Sequence, residues 1–167
     1  MRVIAWLCAA GDLPGRRRQH SVLLVLDLDG TLVHHTEVSG PGNNTLCTKE
    51  QWFFIDVRPH AQEFLAFAME RFDLVVFTAS TQEYAEQVLR ILQLHVPLYS
   101  RKHCKKVSDF YEKDLKVLNR PLGQVRLLDD DARSYRSYPE NGLPISSWTG
   151  DPADDELLRI MRVLSNL

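Results

Sequence analysis

The run from Ser21 to Leu26 is apolar after its first residue and stops at Asp27, the pattern of a strand buried on both faces of a parallel sheet. Turn formers crowd the stretch from Gly40 to Thr48, and Trp52 to Val57 then reads as extended, so a small loop-like or hairpin-like insertion is expected over His35 to Gln51. Pro59 suits a helix start, and Phe64, Leu65, Ala68 and Phe72 recur at three- and four-residue spacing, which predicts an amphipathic helix. The order then repeats. Leu74 to Phe77 is a second apolar run, Ser80 and Glu83 have capping-box spacing, and Tyr84, Val88, Leu89 and Leu92 mark a second helix face. A third run, Val125 to Leu128, again ends in acid at Asp129 to Asp131. Ile145 to Trp148 reads as a further strand and Asp154 to Leu164 as a last helix. Strands alternating with helices imply an α/β fold with a parallel sheet flanked by helices.

The chain has 167 residues, 44% apolar and 25% charged, enough for one core and with no linker to divide it. Residues 21–167 are therefore expected to form one domain behind a leader, residues 1–20. Met1 to Ala10 is apolar and precedes Arg16, Arg17 and Arg18; the leader reads as a frayed terminus or as a short targeting element, although signal-peptide order is reversed. No apolar run approaches the ~20 residues of a membrane-spanning helix. A net charge of −2 provides no broad positive field for a nucleic acid backbone, so no direct nucleic acid binding is expected. Cys8, Cys47 and Cys104 are odd in number and far apart, which fits a reduced intracellular compartment better than a disulfide or zinc framework.

Ligands of open parallel sheets collect beyond the carboxyl ends of the strands. Here those ends carry Asp27 and Asp29, Thr78, and Asp129 with Asp130. If the strand geometry persists through Asp27-Leu28-Asp29, both carboxylates emerge on one side. One can then attack while the other shuttles protons. A carboxylate attacks an anionic phosphate only when a divalent cation offsets the repulsion, and an oxygen-rich site suits Mg²⁺. Thr78 and Lys113 could donate to the equatorial phosphate oxygens. Each feature has a plainer reading: Asp27 to Gly30 as a strand end and turn, Asp129 to Asp131 as a solvated loop, Lys113 as a helix-surface charge. Their placement at successive strand ends favours the phosphate reading.

Other chemistries lack their residues. A calcium loop needs an acid at its fifth position, where Thr31 stands, and Gly at its sixth. The positions six residues after the cysteines hold Pro14, Phe53 and Phe110 rather than the arginine of a thiol phosphatase. There is no Gly-x-Ser-x-Gly elbow, no Gly-x-x-x-x-Gly-Lys loop and no His-x-x-x-His pair.

Leu26 to His34, Arg58-Pro59, Phe77 to Ser80, Tyr84-Ala85, Tyr111 to Leu115 and Leu128 to Tyr135 occur in the order of a known family. From Val22 to Leu167 the chain resembles the haloacid dehalogenase superfamily, and within it the FCP/SCP-type phosphatases of the RNA polymerase II C-terminal domain and related phosphoproteins. The resemblance implies a Rossmannoid sheet with no large cap. It implies Asp27 as the residue that takes the phosphoryl group and Asp29 as general acid and base. Mg²⁺ would rest on the Asp27 carboxylate, the Asp29 carbonyl, Asp130, and waters that Asp129 orients, with Thr78 and Lys113 gripping phosphate. Arg101 aligns with a substrate-holding arginine, and Tyr84 lies where substrate-pocket aromatics occur, simple helix packing being its alternative. Gly30 departs from the usual acid of the subfamily and Asp130 from an asparagine. The His35 to Gln51 segment is shorter than the family's three-stranded insertion. The expected substrate is a phosphoserine or phosphothreonine protein, the RNA polymerase II C-terminal domain among the candidates, in nucleus or cytoplasm. Two alternatives stand beside this: a small-molecule phosphatase of the superfamily, and a non-enzymatic, import-receptor-like binding module, which would place the chain in mitochondria.

Overall fold

The structure, a computed structural model, describes residues 20–38, 45–48 and 52–167. The expected leader therefore lies almost wholly outside the described residues, as does Cys8.

Five parallel strands form the central sheet: β1 (Leu23–Leu26), β5 (Asp73–Phe77), β6 (Leu98–Tyr99), β9 (Val125–Asp129) and β10 (Gly142–Pro144), in the order β10-β9-β1-β5-β6. The period of two along a strand divides its side chains between two cores. Leu24 and Leu26 of β1, Leu74 and Val76 of β5 and Leu128 of β9 join the core built with α1 (Ala61–Arg71), α2 (Gln82–Ile91) and α3 (Glu156–Leu164). Leu23, Val25, Val75, Phe77, Val125 and Leu127 face the other way. There they meet Leu115 and Leu118 of a 3-10 helix and Tyr135 of another. All three α-helices thus share one face, and short 3-10 turns cover the other.

Two antiparallel pieces stand outside this sheet. The insertion is a three-stranded sheet of β2 (Val33–Val38), β3 (Thr45–Cys47) and β4 (Trp52–Val57), in the order β2-β4-β3, rather than a hairpin. Ile55 and Leu46 anchor it in the core. The exposed positions His35, Thr36 and Glu37 hide β2 from a hydrophobicity pattern. The second piece is a hairpin of β7 (Cys104–Val107) and β8 (Phe110–Lys113), turned by Ser108 at φ 51° and Asp109.

Three local expectations change. The last strand is Gly142–Pro144, not Ile145 to Trp148. A Cβ at Gly142 would enter the Tyr135 ring, so the strand starts at a residue without an apolar side chain to reveal it. Trp148 turns inward instead, its backbone N–H donating to Gly30 O and its indole N–H to Asp151 O, both at 2.8 Å. Helix α2 is capped by Thr81, whose Oγ1 accepts from Tyr84 N at 3.4 Å, so the Ser80–Glu83 capping box does not form and Ser80 is released for another task. Helix α1 begins at Ala61 after His60 in left-handed backbone (φ 64°), two residues past Pro59.

Arg58 ties the parts together. Its buried guanidinium donates to Asp154 Oδ1 and Oδ2 at 2.7 and 2.8 Å, and to Gly30 O and Thr31 O at 3.2 and 3.1 Å. It thereby joins the turn after β1 to the segment entering α3. Removing one partner of a buried pair leaves an uncompensated charge, so Asp154→Ala should cost about 3 kcal/mol, lowering Tm by roughly 6–12 °C. Arg58 hydrogen bonds hold the Asp154 carboxyl below its ordinary value, with burial opposing. The pair's contribution is therefore complete above about pH 4 and fades as pH falls through that depressed value. Thermal melts from pH 3 to pH 7 should show this acid loss in the wild type and not in Asp154→Ala.

Candidate active site

Strands β9, β1 and β5 are neighbours in register, Leu128 and Val76 both lying level with Leu26. Their carboxyl ends therefore bring Asp129, Asp27 and Thr78 side by side. The backbone N–H of Asp27 donates to Leu128 O at 3.0 Å, fixing the two acids at one level. Strand geometry does not persist past Leu26: Asp27-Leu28 is irregular, and Asp29 opens the turn that leads into β2. Asp27 and Asp29 nevertheless line the same cleft, of about 370 Å³, with Thr78, Ser80, Arg101, Lys113, Asp129 and Asp130 among its walls.

Lys113, from the end of β8, is the centre of the floor. It is 1% exposed, and Nζ donates to Asp27 Oδ1 at 2.5 Å and to Asp129 Oδ2 at 2.6 Å. It is a buried strand residue, not a helix-surface charge. Burial opposes its ammonium, but Asp27 and Asp129 more than offset this and hold its proton well above the ordinary lysine range. Burial pushes the Asp27 carboxyl up to about 8 against the pull of Lys113, with Asp129 and Asp29 adding like charge. Asp130 is also raised, by burial first and by Asp129 after it, while a hydrogen bond from Ser147 opposes. One buried cation therefore serves more acids than it can neutralise.

Asp27, Asp129 and Asp130 each offer an oxygen within 4.8 Å of the other two. Three carboxylates, two of them raised in proton affinity by burial, form an oxygen donor set that fits a hard divalent cation. Asp129 is further fixed by Ser134 Oγ at 2.5 Å and by the N–H of Asp131 at 2.9 Å. Gly30 sits at φ +79°, and a Cβ there would enter the Asp130 carboxylate. The departures at positions 30 and 130 thus fit one another: the missing side chain makes room for the acid.

Asp29 is held differently. Its carboxylate accepts from Ser80 Oγ at 2.8 Å, meets His35 Nδ1 at 2.9 Å, and accepts from the Tyr84 hydroxyl. These donors lower its proton affinity although burial opposes them, and the same contact raises that of His35. Tyr84 is packed into the core with its hydroxyl on Asp29, so it serves both as helix packing and as support for an acid, with its phenol raised by burial. It does not line the main cleft. It borders an adjoining hollow of about 250 Å³ with His35, Phe53 and Arg101.

Thr78 is buried, and its Oγ1 accepts from Ser80 N at 3.0 Å, which leaves the hydroxyl proton available to a ligand. Arg101, exposed at the rim, donates from Nε to Ala79 O at 2.7 Å and lies 5.1 Å from the centroid of the Tyr111 ring. Cys104 lies beneath, and burial lifts its thiol to about 11, out of nucleophilic range. His35, Ser80 and Ser134 are the site residues to which sequence reasoning gave no role in the chemistry, although Ser80 and Ser134 lie inside the motifs Phe77 to Ser80 and Leu128 to Tyr135.

A parallel α/β sheet with acids beyond β1 and β9, a hydroxyl beyond β5 and a buried lysine beside them is a haloacid-dehalogenase-like fold. The chain belongs to the NLI interacting factor-like phosphatase family, whose model matches residues 22–167. CTD nuclear envelope phosphatase 1B of Danio rerio is 36% identical over 162 residues, covering 87% of this chain and 66% of that protein. Nuclear envelope morphology protein 1 of Schizosaccharomyces pombe is 33% identical over 160 residues, covering 86% and 33%. A solved structure of Fcp1, an RNA polymerase II CTD phosphatase, shares the fold with a TM-score of 0.65 at 20% identity, covering 86% of this chain and 48% of that one. The chain spans between 33% and 66% of the length of the two sequence relatives.

Proposed function

We propose that residues 21–167 form a magnesium-dependent phosphatase for phosphoserine or phosphothreonine in proteins, working through a phosphoaspartate on Asp27. The observation that carries this is the convergence of Asp27, Asp129 and Asp130 around buried Lys113. Mg²⁺ held by Asp27, Asp129, Asp130 and the Asp29 carbonyl would neutralise charge between phosphate and nucleophile.

The chain's own residues do the rest. Lys113 and Thr78 donate to the phosphate oxygens and hold phosphorus against an Asp27 carboxylate oxygen. That oxygen attacks, the bond from phosphorus to the serine oxygen breaks, and Asp29 delivers a proton to the departing alkoxide. A phosphate dianion beside the Asp29–His35 pair raises its proton affinity, which allows Asp29 to hold that proton on substrate entry. Asp29 then takes a proton from the water that attacks the phosphoaspartate, releasing phosphate and restoring Asp27. The donors around Asp29 favour the carboxylate needed for this second step.

The low cover over the cleft supports a chain as substrate: beyond the main sheet and the helices that flank it, the described residues add a three-stranded insertion and the β7–β8 hairpin. Names of relatives support a nuclear or cytoplasmic phosphoprotein, with the RNA polymerase II C-terminal domain one candidate. Among the described residues no helix is long and apolar enough to cross a membrane. The test is phosphate release from an aryl phosphate and a phosphoserine peptide panel. EDTA should abolish release and Mg²⁺ restore it, whereas undiminished release in EDTA would overturn the metal-assisted mechanism.

A further inference from the structure

The wall of the cleft made by the β7–β8 hairpin has a charge arrangement that phosphate chemistry alone does not use. Opposed residues of an antiparallel pair project on one face with Cβ atoms about 5 Å apart. Lys113 faces Cys104 and Tyr111 faces Lys106 in this register, so the cleft-side face runs from Lys113 and Cys104 at the floor to Tyr111 and Lys106 above. Lys105 belongs to the opposite face, bordering a separate hollow with Glu112 and Asp114. Tyr111 therefore lies between two cations, Arg101 over its ring at 5.1 Å and Lys106 across the strand pair. Both are exposed, and among the described residues neither has a carboxylate in ion-pair contact. At the cleft rim Asp131 is held by Arg133 at 2.9 Å, and Glu112, on the opposite face of the hairpin, accepts from Ser137 N at 2.9 Å and lies 3.9 Å from Arg136.

Tyr111 stands two residues from Lys113 along β8, a rise of about 7 Å. An extended peptide with its phosphate on Lys113 places the side chain two residues away, on the same side, at that distance. We infer that Arg101 and Lys106 form a second anionic subsite, which selects substrates bearing a carboxylate or a second phosphate two residues from the phosphoserine under attack. This rests on the phosphatase reading and adds substrate class to it.

The test compares phosphoserine peptides carrying Asn, Asp or phosphoserine two residues before or after the target, with phenyl phosphate as a substrate too small to reach the rim. Wild-type protein should favour the Asp and phosphoserine peptides by about fivefold or more in kcat/KM, mostly through KM, with the margin shrinking as salt rises. Lys106→Glu should abolish that margin while phenyl phosphate turnover holds, and Lys106→Arg should keep it. Preference for Asp equal to that for phosphoserine assigns the subsite to acidic segments, and a larger margin for phosphoserine assigns it to multiply phosphorylated ones. Phenyl phosphate turnover with no preference among the peptides, or a preference that survives Lys106→Glu, would overturn the subsite alone. No turnover of phenyl phosphate would overturn the phosphatase reading itself and the subsite with it.

Discussion

Asp27→Asn should lower kcat for an aryl phosphate by about 10⁴-fold or more, the scale at which removing a covalent nucleophile acts, and leave the fold standing. The amide has the shape of the carboxylate but cannot attack phosphorus. Its effect on stability has the opposite direction from its effect on activity. The Asp27 carboxyl is raised to about 8 chiefly because burial penalises the anion. An acid whose folded value lies above its unfolded value takes stability from the protein as pH rises between the two. A neutral side chain escapes that penalty, and Lys113 keeps Asp129 as a partner at 2.6 Å. In EDTA at pH 7 the variant should therefore melt at or above the wild-type temperature. Turnover within tenfold of wild type would sink the nucleophile assignment. A large fall in Tm would mean that activity was lost through the fold rather than through chemistry.

What the chain discloses in advance follows from how its elements are buried. Strands β1, β5 and β9 are covered on both faces, so they are apolar runs, broken in β9 by the half-buried Arg126, and the polar residues that end them stand out as Asp27, Thr78 and Asp129. The β7–β8 hairpin has no such signature. Phe110, Tyr111, Glu112 and Lys113 alternate neither apolar with polar nor buried with exposed, because Glu112 and Lys113 are buried for their charges. The pattern thus left two readings of Lys113 side by side, a phosphate donor and a helix-surface charge, and the Tyr111 to Leu115 motif favoured the first. Strand β2 is hidden in the same way, because His35 leaves the pattern of a core strand in order to meet Asp29. The support of Asp29 joins residues 6, 51 and 55 positions away along the chain. Contacts of that range become legible only once α2 and the insertion are packed against the turn after β1.

Lys113→Met should be the most damaging single change to the folded state. Methionine fills much of the space of the lysine stem but brings no charge, so Asp27 and Asp129, 2.5 and 2.6 Å from Nζ in the wild type, are left facing one another on the buried floor of the cleft. Stranding buried charge in this way costs about 3–5 kcal/mol, or roughly 6–20 °C in Tm for a chain of this size. The loss should depend on pH with a definite sign. Without the ammonium, the proton affinity of Asp27 rises further, and an acid raised in the folded state contributes most when protonated. The variant should therefore regain stability as pH falls from 8 to 5 and lose it on return. A divalent cation offers the same relief by supplying positive charge to the three acids, so Mg²⁺ should raise the variant's Tm by more than it raises that of the wild type. Turnover should fall about 10³-fold even with Mg²⁺ present, since the donor to the phosphate oxygens is gone. Melting curves in EDTA and in Mg²⁺ across that pH range separate these effects. A variant that melts within a degree of wild type at pH 8 in EDTA would show that Lys113 does not hold the acids together, and would remove the charge balance on which the metal site depends.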